Sequence, residues 1–298
     1  MQKVLITGAT GNIGLEVIHY LQALNPDHRI IAAVRNAEKA KKKIPHSAKL
    51  DFRLFDFEDP GTYATAFNQV DLLFLLRPPH LADVERYFRP LLASAKENGV
   101  NKVVFLSVQG AEKSKVIPHN KIERLIQELG FDYIFVRPSY FMQNLSTTLL
   151  PEIVNHKSIT LPSAQAKFNW IDVKNIGEAT ARLILGFEKY QNQSYEITGS
   201  ENKDFAEVAA LMTKVTGEKI SFKSVNPIHF YFKKKQEGLA SGFALVMTML
   251  HFLPRLQSEP EVSKNYQQLT GKHPTTLAAF MEREKEKFMA SQQNYKTK

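Results

Sequence analysis

The chain has 298 residues, of which 43% are hydrophobic and 23% charged, a composition typical of a globular protein with a full core. It contains no cysteine, which excludes disulfides, thiolate metal sites and a cysteine nucleophile. The formal net charge is +9, but the basic residues are spread along the chain, with the densest clusters at 38–43 and 232–237 on predicted helices. The charge therefore predicts solvated helix faces and no nucleic-acid site.

The sequence also predicts where the protein resides. It begins directly with an apolar strand and lacks a basic segment followed by an apolar core, so no signal peptide is expected. The longest apolar run, residues 239–253, is too short to span a bilayer and contains polar breaks. We therefore expect a cytoplasmic protein with no membrane span.

Short apolar strands alternate with helical patterns through the first half of the chain. Helical spacing occurs, for example, at 14–24 and 84–99, and the predicted strands occupy 3–7, 29–34, 50–55, 71–76, 102–107 and 132–137. Near-continuous apolar strands separated by helices are typical of a parallel sheet covered on both faces. The sequence therefore predicts the α/β class, with a Rossmann-type, doubly wound parallel sheet.

The pattern changes after about residue 140. Short predicted strands and helices are mixed there, with strands at 168–173, 194–198 and 219–225 and helices at 174–186, 202–217 and 274–288. We predict a first domain over residues 1–140 and a smaller C-terminal α+β lobe over 141–298. This lobe is expected to be intermixed with the first domain and not to fold independently, and the tail at 291–298 is expected to be frayed.

A glycine pattern lies between the first predicted strand and the first helix, in the segment ITGATGNIGLEV (6–17). Its first glycine permits a tight turn, its second a close approach of the backbone to a pyrophosphate, and its third close packing of helix on strand. The N–H groups at the start of the helix then face the anion, with Thr7 as a further donor. An ordinary glycine-rich turn is the alternative, but the position in a βαβ unit favours an NAD(P)-binding first domain. The predicted phosphate-binding residues are Gly8, Thr10, Gly11, Asn12, Ile13 and Gly14.

The end of the second predicted strand bears on the choice of dinucleotide. NAD sites usually carry an acidic residue there, which binds the ribose 2′-hydroxyl. Here Arg35 follows the strand, and the first acidic residue is Glu38. A guanidinium suits a 2′-phosphate, so the sequence predicts NADP(H) over NAD(H). The alternative is that Arg35 is only a surface arginine.

Residues that follow the third and fourth predicted strands are expected at the same edge of the sheet. Asp56 and Phe57 end the third strand and are candidates to flank the adenine. Leu76 and Arg77 end the fourth strand, and both are candidate cofactor-binding residues. Arg77 is either a neighbour of the cofactor or a solvated loop residue.

Several segments together resemble a known family. They are GATGNIG, SVQGA after the fifth strand, and the stretches 119–144, 168–179 and 270–288. They resemble the atypical short-chain dehydrogenase/reductases of the NmrA-like group over nearly the whole chain. This group contains NADPH-dependent quinone reductases, azoreductase-like and isoflavone reductase-like enzymes, and NADP-binding regulators that do no chemistry.

The resemblance fails at one decisive position. Catalytic members of the wider superfamily carry a Tyr-x-x-x-Lys pair after the fifth strand, in which the tyrosine is the acid or base. Lys121 matches the lysine and Ser107 the supporting serine, but Ile117 replaces the tyrosine and cannot transfer a proton. The resemblance implies that Lys121 still contacts the cofactor ribose; a surface lysine is the alternative. No catalytic residue is assigned with certainty, and the candidates are Lys121 and His119. His119 could equally contact a substrate or be an ordinary residue of the first helical turn.

The segment VRPSYFMQN (136–144) is expected to pass beside the nicotinamide, as in relatives, with Pro138 and Tyr140 next to the cofactor. Aromatic residues at such spacing are more often core, and Trp170 is either pocket wall or core. The nine histidines lack ligand spacing, so no metal site is predicted. The candidate substrate residues are Gln109, Tyr140, Phe141, Asn144 and Trp170.

Two functions from different classes follow. In the first, an NADPH-dependent reductase passes a hydride to a small planar acceptor such as a quinone, which collects its proton from solvent. In the second, a dinucleotide sensor binds oxidised and reduced cofactor differently and acts through a protein partner without turnover. Ile117 favours the sensor. The absence of an evident interaction tail favours the reductase, which we prefer.

Overall fold

The computed structural model describes residues 2–24, 28–45 and 47–289, so the predicted frayed tail at 291–298 lies outside the described residues. The chain divides into two compact units that each combine several segments. Unit 1 contains Met1–Pro138, Val173–Ile197 and Asn265–Lys272, and unit 2 contains Ser139–Asp172, Thr198–Lys264 and His273–Lys298. Segments from the second half of the sequence thus belong to unit 1. The predicted domain boundary at residue 140 remains a prediction.

The secondary structure follows the apolar patterns of the sequence. The strands are β1 (Lys3–Ile6), β2 (Arg29–Val34), β3 (Leu50–Leu54), β4 (Leu72–Leu76), β5 (Lys102–Leu106), β6 (Asp132–Pro138), β7 (Tyr140–Phe141), β8 (Ser158–Leu161), β9 (Phe168–Ile171), β10 (Gln193–Ile197), β11 (Asn202–Lys203) and β12 (Ser221–Ser224). The helices are α1 (Asn12–Leu24), α2 (Ala37–Lys41), α3 (Tyr63–Phe67), α4 (Val84–Glu97), α5 (Pro118–Glu128), α6 (Leu150–His156), α7 (Val173–Leu185), α8 (Phe187–Tyr190), α9 (Phe205–Thr216), α10 (Pro227–Gln236), α11 (Ser241–Phe252), α12 (Asn265–Thr270) and α13 (Leu277–Met289). The six strands predicted in the first half match β1–β6 to within one residue at either end.

The described part of unit 1 is built on a seven-stranded sheet in the order β10-β6-β5-β4-β1-β2-β3, with every neighbouring pair parallel. The central strands are nearly continuous apolar runs because both faces are covered, and Val4, Leu5 and Ile6 of β1 have no solvent exposure, whereas the edge strands β3 and β10 contain polar residues. From β1 the chain proceeds first to β2 and β3 on one side and then to β4, β5 and β6 on the other. The predicted doubly wound parallel sheet is confirmed, and its switch point lies between β1 and β4.

Strand β10 occupies a different place from the one expected. The sequence pattern assigned residues 194–198 to the C-terminal lobe, whereas Gln193–Ile197 pairs in parallel with β6 at the edge of the main sheet. A parallel neighbour needs a crossover of about a dozen residues or more, and α7 lies in that connection. The residue pattern of 194–198 predicts a strand but does not say which strand it pairs with. The connection through α7 determines that β10 lies beside β6.

Helix α7 of unit 1 packs closely on α1 and is hydrogen-bonded to α12. A Cβ atom added to Gly177 of α7 would lie 2.5 Å from Cβ of Glu16, so this glycine permits the close approach of α7 to α1. Nearby, the Tyr266 hydroxyl of α12 donates to Glu178 of α7 at 2.9 Å, and Lys272 donates to the same carboxylate at 2.8 Å. Burial alone would raise the pKa of Glu178, but these hydrogen bonds outweigh it and the pKa lies below its ordinary value. The first contact fixes α1, the helix that follows the glycine loop.

Unit 2 has its own core and two small sheets within the described residues, β11-β9-β7 and β12-β8. Its helix α9 begins with a capping box between Asp204 and Glu207 and ends at Gly217, which adopts φ +76°. The fully buried Asp172 accepts hydrogen bonds from Gln143 and Arg283, each at 2.7 Å, so the buried carboxylate is compensated. No helix in the described ranges is long and apolar enough to cross a membrane.

Candidate functional site

One edge of the unit 1 sheet collects most of the predicted cofactor residues. Parallel strands end at a common edge, so residues that follow successive strands are brought together there. The residues that follow β1, β2, β3, β4 and β5 at this edge are Gly8, Arg35, Asp56, Arg77 and Ser107. Open α/β sheets bind ligands at this edge near the switch point, here beside β1 and β4.

The glycine loop is so closely packed that its third glycine, Gly14, has no room for a side chain. Gly8 adopts φ +63°, and its carbonyl oxygen accepts a hydrogen bond from the Gly11 amide at 2.9 Å. A Cβ atom at Gly14 would lie 2.3 Å from the Gly8 carbonyl oxygen and 2.8 Å from Cα of Ala9. Because these neighbours are backbone atoms, they cannot move aside without changing the loop. The close packing of helix on strand expected of the third glycine is present in the structure.

The start of α1 is open to an anion. The helix begins at Asn12, which is exposed together with Gly11, while Thr10 is half-buried and Ile13 is buried. The first turn carries no acidic residue. The first N–H groups of a helix have no partner within the helix, and the helix dipole favours negative charge there. The geometry is therefore suitable for a phosphate.

Thr7 has a different role from the predicted one. Its side chain is fully buried, and its hydroxyl donates to the Phe74 carbonyl at 3.1 Å and accepts from the Leu76 amide at 2.8 Å. These bonds join the ends of β1 and β4 at the switch point. They also bring Leu76 against Gly8, where an added Cβ would lie 3.1 Å from Leu76 Cδ2. Thr7 therefore positions the loop and is not directed at a ligand.

Arg35 is exposed directly after β2 and makes no hydrogen bond or ion pair within the described residues. The next residue, Asn36, caps α2 by accepting from the Lys39 amide at 2.9 Å. Glu38, the nearest acid in sequence, pairs with Lys41 at 2.7 Å. The guanidinium is therefore available at the sheet edge.

Asp56 and Phe57 separate in the structure. Asp56 is half-buried after β3, and its Oδ1 accepts from the Glu58 amide at 3.0 Å. The Phe57 ring is buried, with its centroid 4.9 Å from that of Phe55 and 5.8 Å from that of Phe88. The ring is therefore part of the core and does not take the position beside the adenine that was expected. Burial of its apolar surface determines the direction of the side chain.

Arg77 is half-buried and binds the backbone of its own loop, while its Nε has no hydrogen-bond partner among the described residues. Its Nη1 donates to three carbonyls of its own loop, those of Pro78, Pro79 and Leu81, at 3.1, 3.0 and 2.9 Å. Burial lowers the pKa of Arg77 to about 10. Burial first, and the Arg77 cation second, lower the pKa of His119 to about 3. His119 is therefore a neutral imidazole near pH 7, and its protonated form is too scarce to act as a proton donor.

Two side chains that follow β5, one in the loop and one in α5, have no hydrogen-bond or ion-pair partner among the described residues. Ser107 is 2% exposed, and its hydroxyl has no hydrogen-bond partner among the described residues. Lys121, in the first turn of α5, is exposed and its side chain makes no hydrogen bond or ion pair in the described part of the chain. An unpaired buried hydroxyl is uncommon in proteins and is consistent with a ligand contact.

Gln109 is engaged on both its backbone and its side chain. Its amide donates to the carbonyl of Pro138 at 2.9 Å, and its Nε2 donates to Glu196 at 2.9 Å. Glu196 also accepts from the Gly110 amide at 3.3 Å. Glu196 lies on β10, and no sequence signal predicted this contact, because the position of β10 was not evident.

The other predicted substrate residues lie in unit 2, where the half-buried Tyr140 contacts the buried His251. His251 Nδ1 lies 2.7 Å from the Met247 carbonyl and must donate to it, so the Tyr140 hydroxyl donates to Nε2 at 2.9 Å. Burial raises the pKa of Tyr140 and lowers the pKa of His251 to about 4. Both groups are therefore neutral near pH 7. His251 was not singled out from the sequence.

Trp170 belongs to the core of unit 2. It is fully buried, stands opposite Tyr140 in the β7–β9 register, and its indole N–H donates to the Lys203 carbonyl at 3.0 Å. Of the two roles considered for it, core is therefore the one observed. Phe141 and Asn144 are half-buried beside this core.

The rest of the described structure contains a cleft in unit 2 and no cluster of metal-binding side chains. A cleft of about 360 Å³ in unit 2 is lined by residues 164–167, 254, 255 and 257–259, none of them a predicted site residue. Among the described residues, no group of three or more His, Asp or Glu side chains is placed to hold a metal ion. Neither finding supplies an alternative centre of chemistry.

The chain belongs to the NmrA-like family, whose model matches residues 1–281, and the resemblance drawn from the motifs is confirmed. It is similar to the Prestalk A differentiation protein A of Dictyostelium discoideum, with 27% identity over 278 residues, 93% of this chain and 91% of that protein. It is also similar to the NAD(P)H azoreductase of Xenophilus azovorans, with 27% identity over 282 residues, 93% and 96% of the two chains. Among solved structures, an NADPH-dependent quinone oxidoreductase from Escherichia coli has a TM-score of 0.81 and 25% identity, and covers 94% of this chain and 98% of its own.

Proposed function

We propose that this protein is an NADPH-dependent reductase that passes a hydride to a small, planar, electron-poor acceptor such as a quinone or an azo dye. The main support is the glycine loop, which has no room for a Cβ at Gly14. It leads into helix α1 at the switch point, and the first turn of α1 contains no acidic residue. The named relatives, an azoreductase and a quinone oxidoreductase, support the broader class of NAD(P)H-dependent oxidoreductases.

The residues that hold the cofactor in this proposal follow the strands of unit 1. The glycine loop and the start of α1 bind the pyrophosphate, and Arg35 binds the 2′-phosphate. Ser107 and Lys121 face the nicotinamide ribose, and the unpaired Ser107 hydroxyl supports this assignment. When bound, the dinucleotide supplies the hydride.

No tyrosine takes part in the proposed reaction, because Ile117 stands at the position where relatives of the wider superfamily carry it. His119 is half-buried and its lowered pKa makes it a neutral imidazole near pH 7, so we assign it no proton transfer. The protein's contribution is to hold the acceptor against the cofactor, while the reduced acceptor takes one proton per hydride from solvent, on oxygen in a quinone or on nitrogen in an azo dye. Gln109, a half-buried polar residue after β5, is the acceptor contact proposed in unit 1.

The second candidate is a sensor that binds NADP(H) without turnover and acts on a protein partner. Ile117 favours this function because it removes the only familiar proton donor from the site. For either function we propose a cytoplasmic location, where reduced dinucleotides are available.

The test is oxidation of NADPH by the purified protein with a panel of quinones and azo dyes, with NADH in parallel and binding followed by cofactor fluorescence. Turnover that is faster with NADPH than with NADH is expected. Tight binding without turnover on any acceptor would instead identify the sensor. Failure to bind either dinucleotide would remove both candidates.

The cofactor preference rests on Arg35 and is tested by Arg35→Ser. We expect the dissociation constant for NADPH to rise about 10- to 100-fold, or ~1.4–2.7 kcal/mol, because a charge-assisted bond to the phosphate is lost. The constant for NADH should change much less, since NADH carries no 2′-phosphate. Titration calorimetry with both cofactors measures the two values.

The matched control is Arg29→Ser, which removes the same charge from the opposite end of the same strand. Arg29 is exposed and pairs with Asp51 at 2.7 Å. It lies away from the carboxyl edge of the sheet, so NADPH affinity should stay near the wild-type value. An equal loss in both variants would mean that Arg35 acts only through overall charge.

A further inference from the structure

Unit 2 carries an exposed apolar surface formed by α10, α11 and the turn that follows. We define the apolar surface as the exposed large apolar side chains between Ile228 and Leu256. This stretch holds nine of the fourteen exposed large apolar side chains among the described residues. Monomeric proteins rarely expose large contiguous apolar patches without a partner. The concentration in one short stretch therefore requires an explanation.

Helix α11 carries no charged side chain and its outer face is apolar, yet that face is exposed to solvent. The twelve residues Ser241–Phe252 include no lysine, arginine, aspartate or glutamate. Ala244, Met247 and His251 are buried on the inner side, whereas Val246 and Leu250 on the outer side are 49% and 46% exposed. A helix that is apolar all round is normally surrounded by protein or lipid. The packing of unit 2 accounts for the inner side only.

Helix α10 extends the same surface. Four residues join it to α11, and the two helices pack against each other. Ile228 and Phe232, one turn apart on α10, are 67% and 58% exposed, and Leu256 after α11 is 73% exposed. The two neighbouring helices therefore both carry exposed apolar side chains.

Within α10, α11 and the turn that follows, basic residues outnumber acidic ones, and the exposed Glu259 lies just beyond this stretch. The stretch 227–257 contains Lys233, Lys234, Lys235 and Arg255 and a single acidic residue, Glu237, which gives a formal charge of +3. Glu237 pairs with Lys234 at 2.7 Å. A second copy of this chain would present the same cations in a two-fold interface, where like charges disfavour association. An anionic surface complements them.

We propose that α10 and α11 dock unit 2 on anionic lipid bilayers. Apolar side chains enter the boundary between headgroups and acyl chains, while lysine and arginine side chains reach the headgroup phosphates. The helices lie in the plane of the interface, since α11 has only twelve residues and none of the described helices can span a bilayer. The proposal is independent of the reaction that the protein catalyses.

The test is co-sedimentation of the full-length protein with sucrose-loaded phosphatidylcholine vesicles, prepared with and without phosphatidylglycerol. Binding should be about ten-fold stronger with the anionic lipid and should weaken as salt is added. The double variant Val246→Glu/Leu250→Glu should lower binding by about ten-fold or more, because two carboxylates cannot enter the apolar boundary.

The matched control is Val116→Glu/Val262→Glu, which adds the same charge at two exposed valines outside the surface. It should bind vesicles as the wild-type protein does, and both variants should keep the wild-type unfolding midpoint because all four side chains are exposed. Absence of vesicle binding by the wild-type protein would overturn the proposal, as would equal loss in the control. A wild-type dimer in ultracentrifugation that dissociates in the Val246→Glu/Leu250→Glu variant would assign the surface to a second copy and overturn it as well.

Discussion

Replacement of Gly14 by alanine is expected to abolish tight NADPH binding, with the dissociation constant rising at least about 100-fold, or ~2.7 kcal/mol. The added methyl group would lie 2.3 Å from the Gly8 carbonyl oxygen, a separation that no rotamer change can relieve. The start of α1 must then move away from β1, and the loop loses the shape that receives the pyrophosphate. Overpacking of this kind also lowers stability by about 1–3 kcal/mol. Titration calorimetry and urea denaturation measure the two effects separately.

Gly242→Ala is the control for this variant. A Cβ atom there would meet nothing within 4 Å, so NADPH affinity should remain at the wild-type value, and stability should be unchanged or rise by up to ~1 kcal/mol because alanine has the higher helix propensity. Affinity and stability together also distinguish a wrong binding role from a wrong packing argument. Lower stability of Gly14→Ala with unchanged NADPH affinity would contradict the binding role of the loop, whereas unchanged stability and affinity would contradict the packing itself.

The second large effect is expected at Arg137, whose replacement by methionine should lower the free energy of unfolding by about 3–5 kcal/mol. Arg137 on β6 holds the buried Glu123 of α5 through two bonds, from Nε at 2.9 Å and from Nη2 at 2.6 Å. Its Nη1 also pairs with Glu112 at 2.6 Å. Removal of the cation leaves the Glu123 carboxylate buried and uncompensated, which is the costly half of a buried ion pair. Urea denaturation measures the change through the midpoint at constant slope.

The reference variant is Arg89→Met, because Arg89 also pairs with two glutamates, Glu85 and Glu128, but at the surface. Its side chain is 38% exposed, against 12% for Arg137. Exposed pairs contribute about 0–1 kcal/mol, so this loss should be small. The double variant Arg137→Met/Glu123→Met should recover much of the lost stability. If the double variant is as unstable as Arg137→Met alone, the buried carboxylate is not the cause.

Sequence patterns were sufficient where the physical determinant is local. The strands of a covered parallel sheet are rich in apolar residues, so β1–β6 could be delimited to within a residue, although β3 at the sheet edge includes Asp51 and Arg53. The glycine spacing was equally informative, since the absence of a Cβ at Gly14 is a property of the residue and its position between strand and helix. The order of these strands then follows from the general rules for doubly wound folds.

Side-chain direction was beyond the sequence. Phe57 and Trp170 were considered for binding roles, but both rings are buried in apolar cores. An aromatic residue beside a strand end can turn to either side, and the difference depends on which apolar neighbours surround it. The same holds for Thr7, whose hydroxyl joins β4 because that strand lies beside β1.

Taken by itself, the sequence determined the α/β class, the limits of the main strands, the glycine loop and the family to which the chain belongs. Each depends on spacing along the chain or on the presence of a particular residue. Only the tertiary structure decided that β10 joins the main sheet, that His251 meets Tyr140, and that Arg137 holds Glu123. The partners in the first two pairings are more than fifty residues apart, and all three depend on how crossovers and helices place distant segments. Local periodicity specifies an element and its apolar face, but not which distant element it will contact.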